Sequence, residues 1–216
     1  MADPTRRPLK SRDTTLARRI AQWLAGTAVT PNQISAISIL FAALAGAAFW
    51  ASSMVGEPLR SLCLIEAALG IQLRLLCNLF DGMVAIEGGK QSPTGAFWNE
   101  APDRLADILI LAGMGLGAGN TVLGWAAAAF AVLTAYIREL GTSAGAAPDF
   151  SGPMAKPQRM ATATIAAVAG IPIGILGLGL NALEIGLWVI VAGSAVTALR
   201  RSWRLVSSLN GKRPGG

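Results

Sequence analysis

Between Asn78 and Asp103 the chain reads NLFDGMVAIEGGKQSPTGAFWNEAPD, and two polar pairs in this stretch sit at helical spacing. Asn78 and Asp81 lie three apart; Asn99 and Asp103 lie four apart. Side chains three or four apart share one face of a helix, so each pair can aim its oxygens at one point. Two helix ends meeting there would build an oxygen-lined site. The sequence contains no histidine, which removes the commonest general base and the commonest transition-metal ligand. Acid and base work therefore falls to carboxylates. Oxygen ligands from Asp and Asn suit hard cations such as Mg²⁺, Mn²⁺ or Ca²⁺, and those cations suit phosphate substrates.

The elements that must position these residues are membrane helices. Of the 216 residues 53% are hydrophobic and only 14% charged, too apolar a balance for an ordinary soluble protein. A helix needs about 20 apolar residues to cross the hydrocarbon. Six windows qualify, near 33–51, 61–80, 100–118, 121–139, 160–180 and 182–199. The third opens with Asn99, Glu100, Pro102, Asp103 and Arg104, so its apolar body from Ile108 is short. The expected fold is an all-α, six-helix transmembrane bundle preceded by an interfacial amphipathic helix. In that helix Leu16, Ile20, Trp23 and Leu24 oppose Arg18, Arg19 and Gln22; packing of the same helix on other protein is the alternative. Three parts follow: a cytoplasmic arm and amphipathic helix over 1–29, the six-helix catalytic domain over 30–199, and a basic tail over 200–216. The first 13 residues are expected to form a flexible arm, and no signal peptide is evident.

Lys and Arg gather at positions 6–19, at Lys90, at Arg138, Lys156 and Arg159, and from Arg200 to Arg213, whereas the alternate loops carry only Arg60. The positive-inside rule then places both termini, and the loops after the second and fourth windows, in the cytoplasm. The Asn78–Asp103 site is expected on the same side, in a bacterial-type inner membrane. The net charge of +6 sits beside membrane spans without interleaved aromatics, which favours anionic membrane lipids over nucleic acid as its partner. Cys63 and Cys77 fall on one helix about 21 Å apart, too far to bridge. Glu66 and Arg74 fall inside the second window, where charge is costly, and are expected to face the bundle interior or water.

The segment resembles the signature of the CDP-alcohol phosphotransferases, DxxDGxxAR, eight residues, Gly, three residues, Asp, three residues, Asp. Asp81, Gly82, Ala85, Gly95 and Asp103 match it without gaps; Asn78 and Asn99 stand at the first and third aspartates, and Ile86 replaces the arginine. Pro31, Asn32, Gln33, Ile34 and Ser35 look like the family's entry to its first span. Tyr136, Arg138, Gly152, Lys156, Pro157 and Arg159 are similar to a basic stretch in members that use a phosphorylated alcohol.

The resemblance implies transfer of a phosphatidyl group from CDP-diacylglycerol to an alcohol acceptor, with release of CMP. It implies Mg²⁺ or Mn²⁺ held at Asp81, Asp103, Asn78 and Asn99, with Asp103 also the catalytic base. Gly82, Ala85, Gly95, Arg138, Lys156 and Arg159 would bind the substrates, and the family tends toward homodimers. Asn keeps a carbonyl oxygen for a metal but carries no charge and cannot act as a base. Glu100, Asp107 and Glu87 are the nearby carboxylates that could restore negative charge.

Other readings of the same residues stand beside these. Asn99 could cap a helix, and Asn78 with Asp81 could mark a helix exit with a turn at Gly82. A catalytically silent relative serving as membrane scaffold or lipid sensor is one alternative function. A small transporter is another, although its polar residues would be expected at mid-bilayer.

Overall fold

The computed structural model describes residues 14–211. The expected flexible arm over 1–13 and the last five residues of the expected basic tail, 212–216, lie outside the described residues. Seven helices make up the described chain, with no strand among the described residues: α1 (Thr15–Ala25), α2 (Pro31–Ala51), α3 (Leu59–Glu87), α4 (Gly95–Gly117), α5 (Thr121–Ser143), α6 (Lys156–Ile175) and α7 (Ala182–Gly211).

The amphipathic stretch forms α1, started by Thr14, whose side chain accepts the Ala17 N–H. Ala17 and Ala21 are buried on Leu79 and Met83 of α3, while Leu16 and Trp23 remain exposed. The helix therefore docks on protein through its small residues and leaves Leu16 and Trp23 outward. Lys90 fastens its far end by donating to the carbonyls of Thr27 (2.6 Å) and Val29 (3.1 Å). The next helix opens with a capping box between Thr30 and Gln33 and with Pro31 in its first turn.

Four helices, α2, α3, α5 and α7, are long and apolar enough to cross a membrane, and the chain is accordingly a multi-pass membrane protein. The windows expected at 100–118 and 160–180 form α4 and α6, whose composition falls short of that standard. Glu100, Asp103, Arg104 and Asp107 interrupt α4, and Lys156 and Arg159 open α6. Side chains from α2, α3, α4, α6 and α7, among them Phe49, Leu64, Ile110, Met114, Met160 and Leu187, are fully buried in one core. Large apolar residues such as Leu40, Leu62, Leu69, Ile165 and Trp188 are exposed on the outside, the inversion expected of a surface facing lipid.

Small residues set the closest approaches. A Cβ on Gly113 of α4 would run into the backbone of Gly46 on α2, and one on Gly117 into the carbonyl of Phe49. Close backbone contact of this kind is how membrane helices associate where burial of apolar surface supplies little drive.

Three helices overrun the expected windows by five residues or more. The second continues through Glu87, the third begins at Gly95, and the last continues to Gly211. Asn78 and Asp81 therefore lie inside α3 rather than at its exit, and Asn99 lies inside α4 rather than at its cap. Of the two charges expected to be drawn inward, Arg74 is fully buried, but Glu66 is exposed on the outer side of α3. Cys63 and Cys77 are both free.

Candidate active site

At one end of the bundle α2, α3, α4, α5, α6 and the α5–α6 loop enclose a cavity of about 830 Å³. All ten residues singled out from the sequence line it: Asn78, Asp81, Gly82 and Ala85 from α3, Gly95, Asn99 and Asp103 from α4, Arg138 from α5, and Lys156 and Arg159 from α6. Helical geometry does the gathering. Asn78 and Asp81 lie within a turn on α3, and Asn99 and Asp103 within a turn on α4, so four oxygen-bearing side chains converge from two walls.

Asp81 is 6% exposed. Its Oδ2 accepts the hydroxyl of Ser35 at 2.8 Å and its Oδ1 the backbone N–H of Gly82 at 2.5 Å. Ser35 comes from the first turns of α2, so the capping box that fixes the start of α2 also fixes this carboxylate. Asp103, equally buried, is held by cations: Arg74 Nη2 lies 3.2 Å from its Oδ1, Lys156 Nζ donates to its Oδ2, and Arg104 Nη2 lies 3.6 Å away.

Beneath the cavity floor Asp107, with no exposure, is clamped between Arg74 (3.3 Å) and Arg159 (2.9 Å). Arg159 also donates to Thr134 Oγ1 and the Met154 carbonyl, each at 3.2 Å. On the opposite wall Arg138 Nη2 pairs with Glu100 at 2.6 Å, and its guanidinium lies over the Phe150 ring.

The three carboxylates expected to make up for the asparagines do not do so. Asp107 is consumed by two arginines, Glu100 by Arg138, and Glu87 is exposed and absent from the cavity wall. Among the described residues no three His, Cys, Asp or Glu side chains gather at one point. The motif side chains that line the cavity without being drawn into the Arg138 and Asp107 clusters are the carboxylates of Asp81 and Asp103 and the amides of Asn78 and Asn99, all offering hard oxygen. Oxygen donors of this kind suit a divalent cation such as Mg²⁺ or Mn²⁺.

The loop between α5 and α6 closes the basic side. Arg201 of α7 donates to the Ser151 carbonyl (2.9 Å) and the Thr134 carbonyl (2.7 Å). Arg204 reaches Ser151 Oγ (2.8 Å) and Asp149 (3.6 Å), and Thr197 Oγ1 accepts the Met154 N–H. Burial by itself would raise the Asp149 carboxyl; the hydrogen bonds from Ser151, and behind them Arg201 and Arg204, hold it below its usual range.

Four participants escaped the reading of the sequence as site residues. Ser35 was visible only as part of an entry motif, and Arg201 only as one more basic residue of a tail. Arg104 sits beside the motif with nothing to distinguish it from a helix-surface charge. Arg74 did carry a signal: an arginine in the middle of an apolar run needs a buried partner.

Fold and site together define a helical membrane protein with a polar, cation-lined cavity at one end of its bundle. The curated proteins it is similar to include a phosphatidylinositol phosphate synthase of Streptomyces avermitilis, 32% identical over 141 residues, covering 61% of this chain and 57% of that protein. Two others are an archaetidylinositol phosphate synthase of Pyrococcus horikoshii, 36% identical over 99 residues (46% and 47% covered), and a bifunctional IPC transferase and DIPP synthase of Rubrobacter xylanophilus, 35% identical over 118 residues (53% and 25% covered). The matches thus span between a quarter and just over half of the length of these relatives. No protein-family model matches the chain.

Among solved structures, the fold is that of the Mycobacterium tuberculosis phosphatidylinositol phosphate synthase. In complex with manganese and citrate, that enzyme aligns with TM-score 0.74 and 17% identity over 93% of each chain. Its form with CDP-DAG bound aligns with TM-score 0.72 and 20% identity over 89% of this chain and 94% of that one.

Proposed function

We propose that this chain is a six-span, CDP-alcohol phosphotransferase-type enzyme that moves a phosphatidyl group from CDP-diacylglycerol to a phosphorylated alcohol of the inositol phosphate class. The observation that carries the reading is the meeting of Asp81 and Asp103 in one cavity whose other wall is basic. Two of the curated relatives, a phosphatidylinositol phosphate synthase and an archaetidylinositol phosphate synthase, support the acceptor class. On this reading α4 and α6 are the fifth and sixth spans beside the four more apolar helices, and the excess of Lys and Arg at the cavity end supports a cytoplasmic cavity and cytoplasmic termini in a bacterial-type inner membrane.

Asp81 and Asp103, with the carbonyls of Asn78 and Asn99, would hold a divalent cation, which supplies charge neutralisation on the diphosphate when bound. Gly82, Ala85 and Gly95 leave room for the nucleotide against the helix backbones. Arg138 and Lys156, backed by Arg159, face the acceptor's phosphate.

Asp103 takes the proton of the acceptor hydroxyl. The freed oxygen forms its bond to the phosphorus that carries diacylglycerol, and the bond from that phosphorus to the CMP oxygen breaks, so CMP leaves with the electron pair. Lys156 holds Oδ2 of Asp103 before the acceptor arrives, so that oxygen is not open to the acceptor hydroxyl. An incoming phosphate competes for that ammonium, and the base is freed only when an acceptor is in place.

The test is to incubate detergent-purified protein with radiolabelled CDP-diacylglycerol and a panel of alcohols that includes inositol phosphate, glycerol phosphate, inositol and serine. CMP and labelled lipid are expected with inositol phosphate. No product with any acceptor would remove the reading and favour the silent scaffold or lipid sensor that Asn78 and Asn99 permit. In that case Asn78→Asp with Asn99→Asp would create turnover absent from the natural chain.

A further inference from the structure

Arg74 is the least expected residue of the site. It is fully buried, a placement that costs several kcal/mol for a guanidinium unless it is paired and hydrogen-bonded. All its polar contacts run through one nitrogen: Nη2 approaches Asp103 Oδ1 (3.2 Å), the Asp103 carbonyl (3.3 Å) and Asp107 Oδ1 (3.3 Å). Its Nε and Nη1 are buried without a hydrogen-bond partner among the described residues. A purely structural ion pair would be expected to satisfy the whole fork.

Its place on α3 is one turn before Asn78, on the face that carries Asn78 and Asp81. A permanent positive charge therefore stands directly under the oxygen cluster, on the carboxylate that the cluster needs most. The charge balance there is already met by protein. Asp103 has Arg74 on one oxygen and Lys156 on the other, and Asp107 has Arg74 and Arg159. Asn78 and Asn99 add oxygen without charge.

We propose that Arg74 is a built-in counter-ion that limits the site to a single divalent cation: its guanidinium occupies, beside Asp103 and Asp107, the electrostatic position a second metal ion would take. Arg74 is a positioning residue, acting through Asp103. This rests on the metal-holding reading given above, and it goes further in fixing the number of ions and the residue that sets it.

Mn²⁺ alone is the probe. Its binding to the detergent-purified full chain is counted by the loss of the free-ion electron paramagnetic resonance signal and by titration calorimetry, in wild type, Arg74→Met and Arg74→Lys. One ion per chain is expected for wild type and Arg74→Lys. In Arg74→Met, which keeps volume and removes charge, either a second ion or a Kd lower by at least about tenfold is expected, since one unit charge a few ångströms away is worth more than that factor even at high effective dielectric. If Arg74→Met does not fold, Arg74→Gln removes the charge while keeping a polar side chain and carries the same expectation.

Two ions in wild type, or unchanged number and affinity in a folded Arg74→Met or Arg74→Gln, would overturn the proposal and leave Arg74 a structural pair. No ion in wild type would overturn it together with the metal assignment. CMP release in the same preparation reports separately whether the transferase reading survives.

Discussion

Under the proposed mechanism Asp103 carries two demands that pull against each other: to hold positive charge, and to accept a proton. Its two oxygens are divided between Arg74 and Lys156, so its availability as a base depends on what Lys156 does. Asp103→Asn keeps shape and most hydrogen bonds but cannot take the proton, and CMP release should fall by about 10²- to 10⁴-fold, measured as initial rate at saturating donor and acceptor. Lys156→Met should raise KM for a phosphorylated acceptor far more than for the unphosphorylated alcohol; equal loss for both would deny it the acceptor's phosphate. Ser35 acts on the other carboxylate. Ser35→Ala removes a hydrogen bond to a buried charge, worth about 1.5–3 kcal/mol, and Mn²⁺ affinity should weaken by roughly tenfold or more in calorimetric titration. Chelation of divalent metal should stop turnover, and Mg²⁺ or Mn²⁺ should restore it.

Elements bring these residues together, and here the sequence was informative to unequal degrees. Apolar runs of membrane length marked the helices, because lipid demands uninterrupted backbone hydrogen bonding and apolar side chains. Their ends at the cavity were harder to read, since beyond an apolar span a helix can carry Asn78, Asp81 and Glu87 without cost and nothing apolar records its continuation. The two polar pairs were legible because helical spacing is local. The contacts of Ser35 with Asp81 and of Arg201 with Thr134 span 46 and 67 residues, and only packing creates them.

The α5–α6 loop is one such product, laced to α7 by Arg201, Arg204 and Thr197. Asp149 has its pKa lowered on folding, so it contributes stability that is present above its ordinary carboxylate value and lost as pH falls through the lowered one. Loop protection, read by hydrogen exchange at residues 149–155, should therefore hold from neutrality down to the usual carboxylate range and collapse only below it. Asp149→Asn should flatten that dependence. A loop whose exchange is insensitive to both would show that Arg201 and Thr197 hold it unaided.

At the scale of the molecule, the distribution of charge and the position of the cavity have to agree. Lys90, Arg138, Lys156, Arg159, Arg201 and Arg204 all belong to the cavity end, while Arg60, at the other end, is tied to Glu57 and the Gly170 carbonyl. Under the proposed function, cations at the cavity end would serve two purposes at once, anchoring by the positive-inside rule and attraction for a phosphorylated, water-borne acceptor. Both would require that the cavity face the compartment where CDP-linked donors and phosphorylated alcohols occur. Single cysteines in a Cys63→Ser, Cys77→Ser background test the orientation. Ala144→Cys lies just past α5 beside the cavity, and Ser53→Cys lies in the turn between α2 and α3; both positions are exposed. A membrane-impermeant maleimide should label Ser53→Cys in intact cells and Ala144→Cys only after permeabilisation. The reverse pattern would place the cavity outside, where neither substrate is made, and would leave the basic wall to be explained by some other anion.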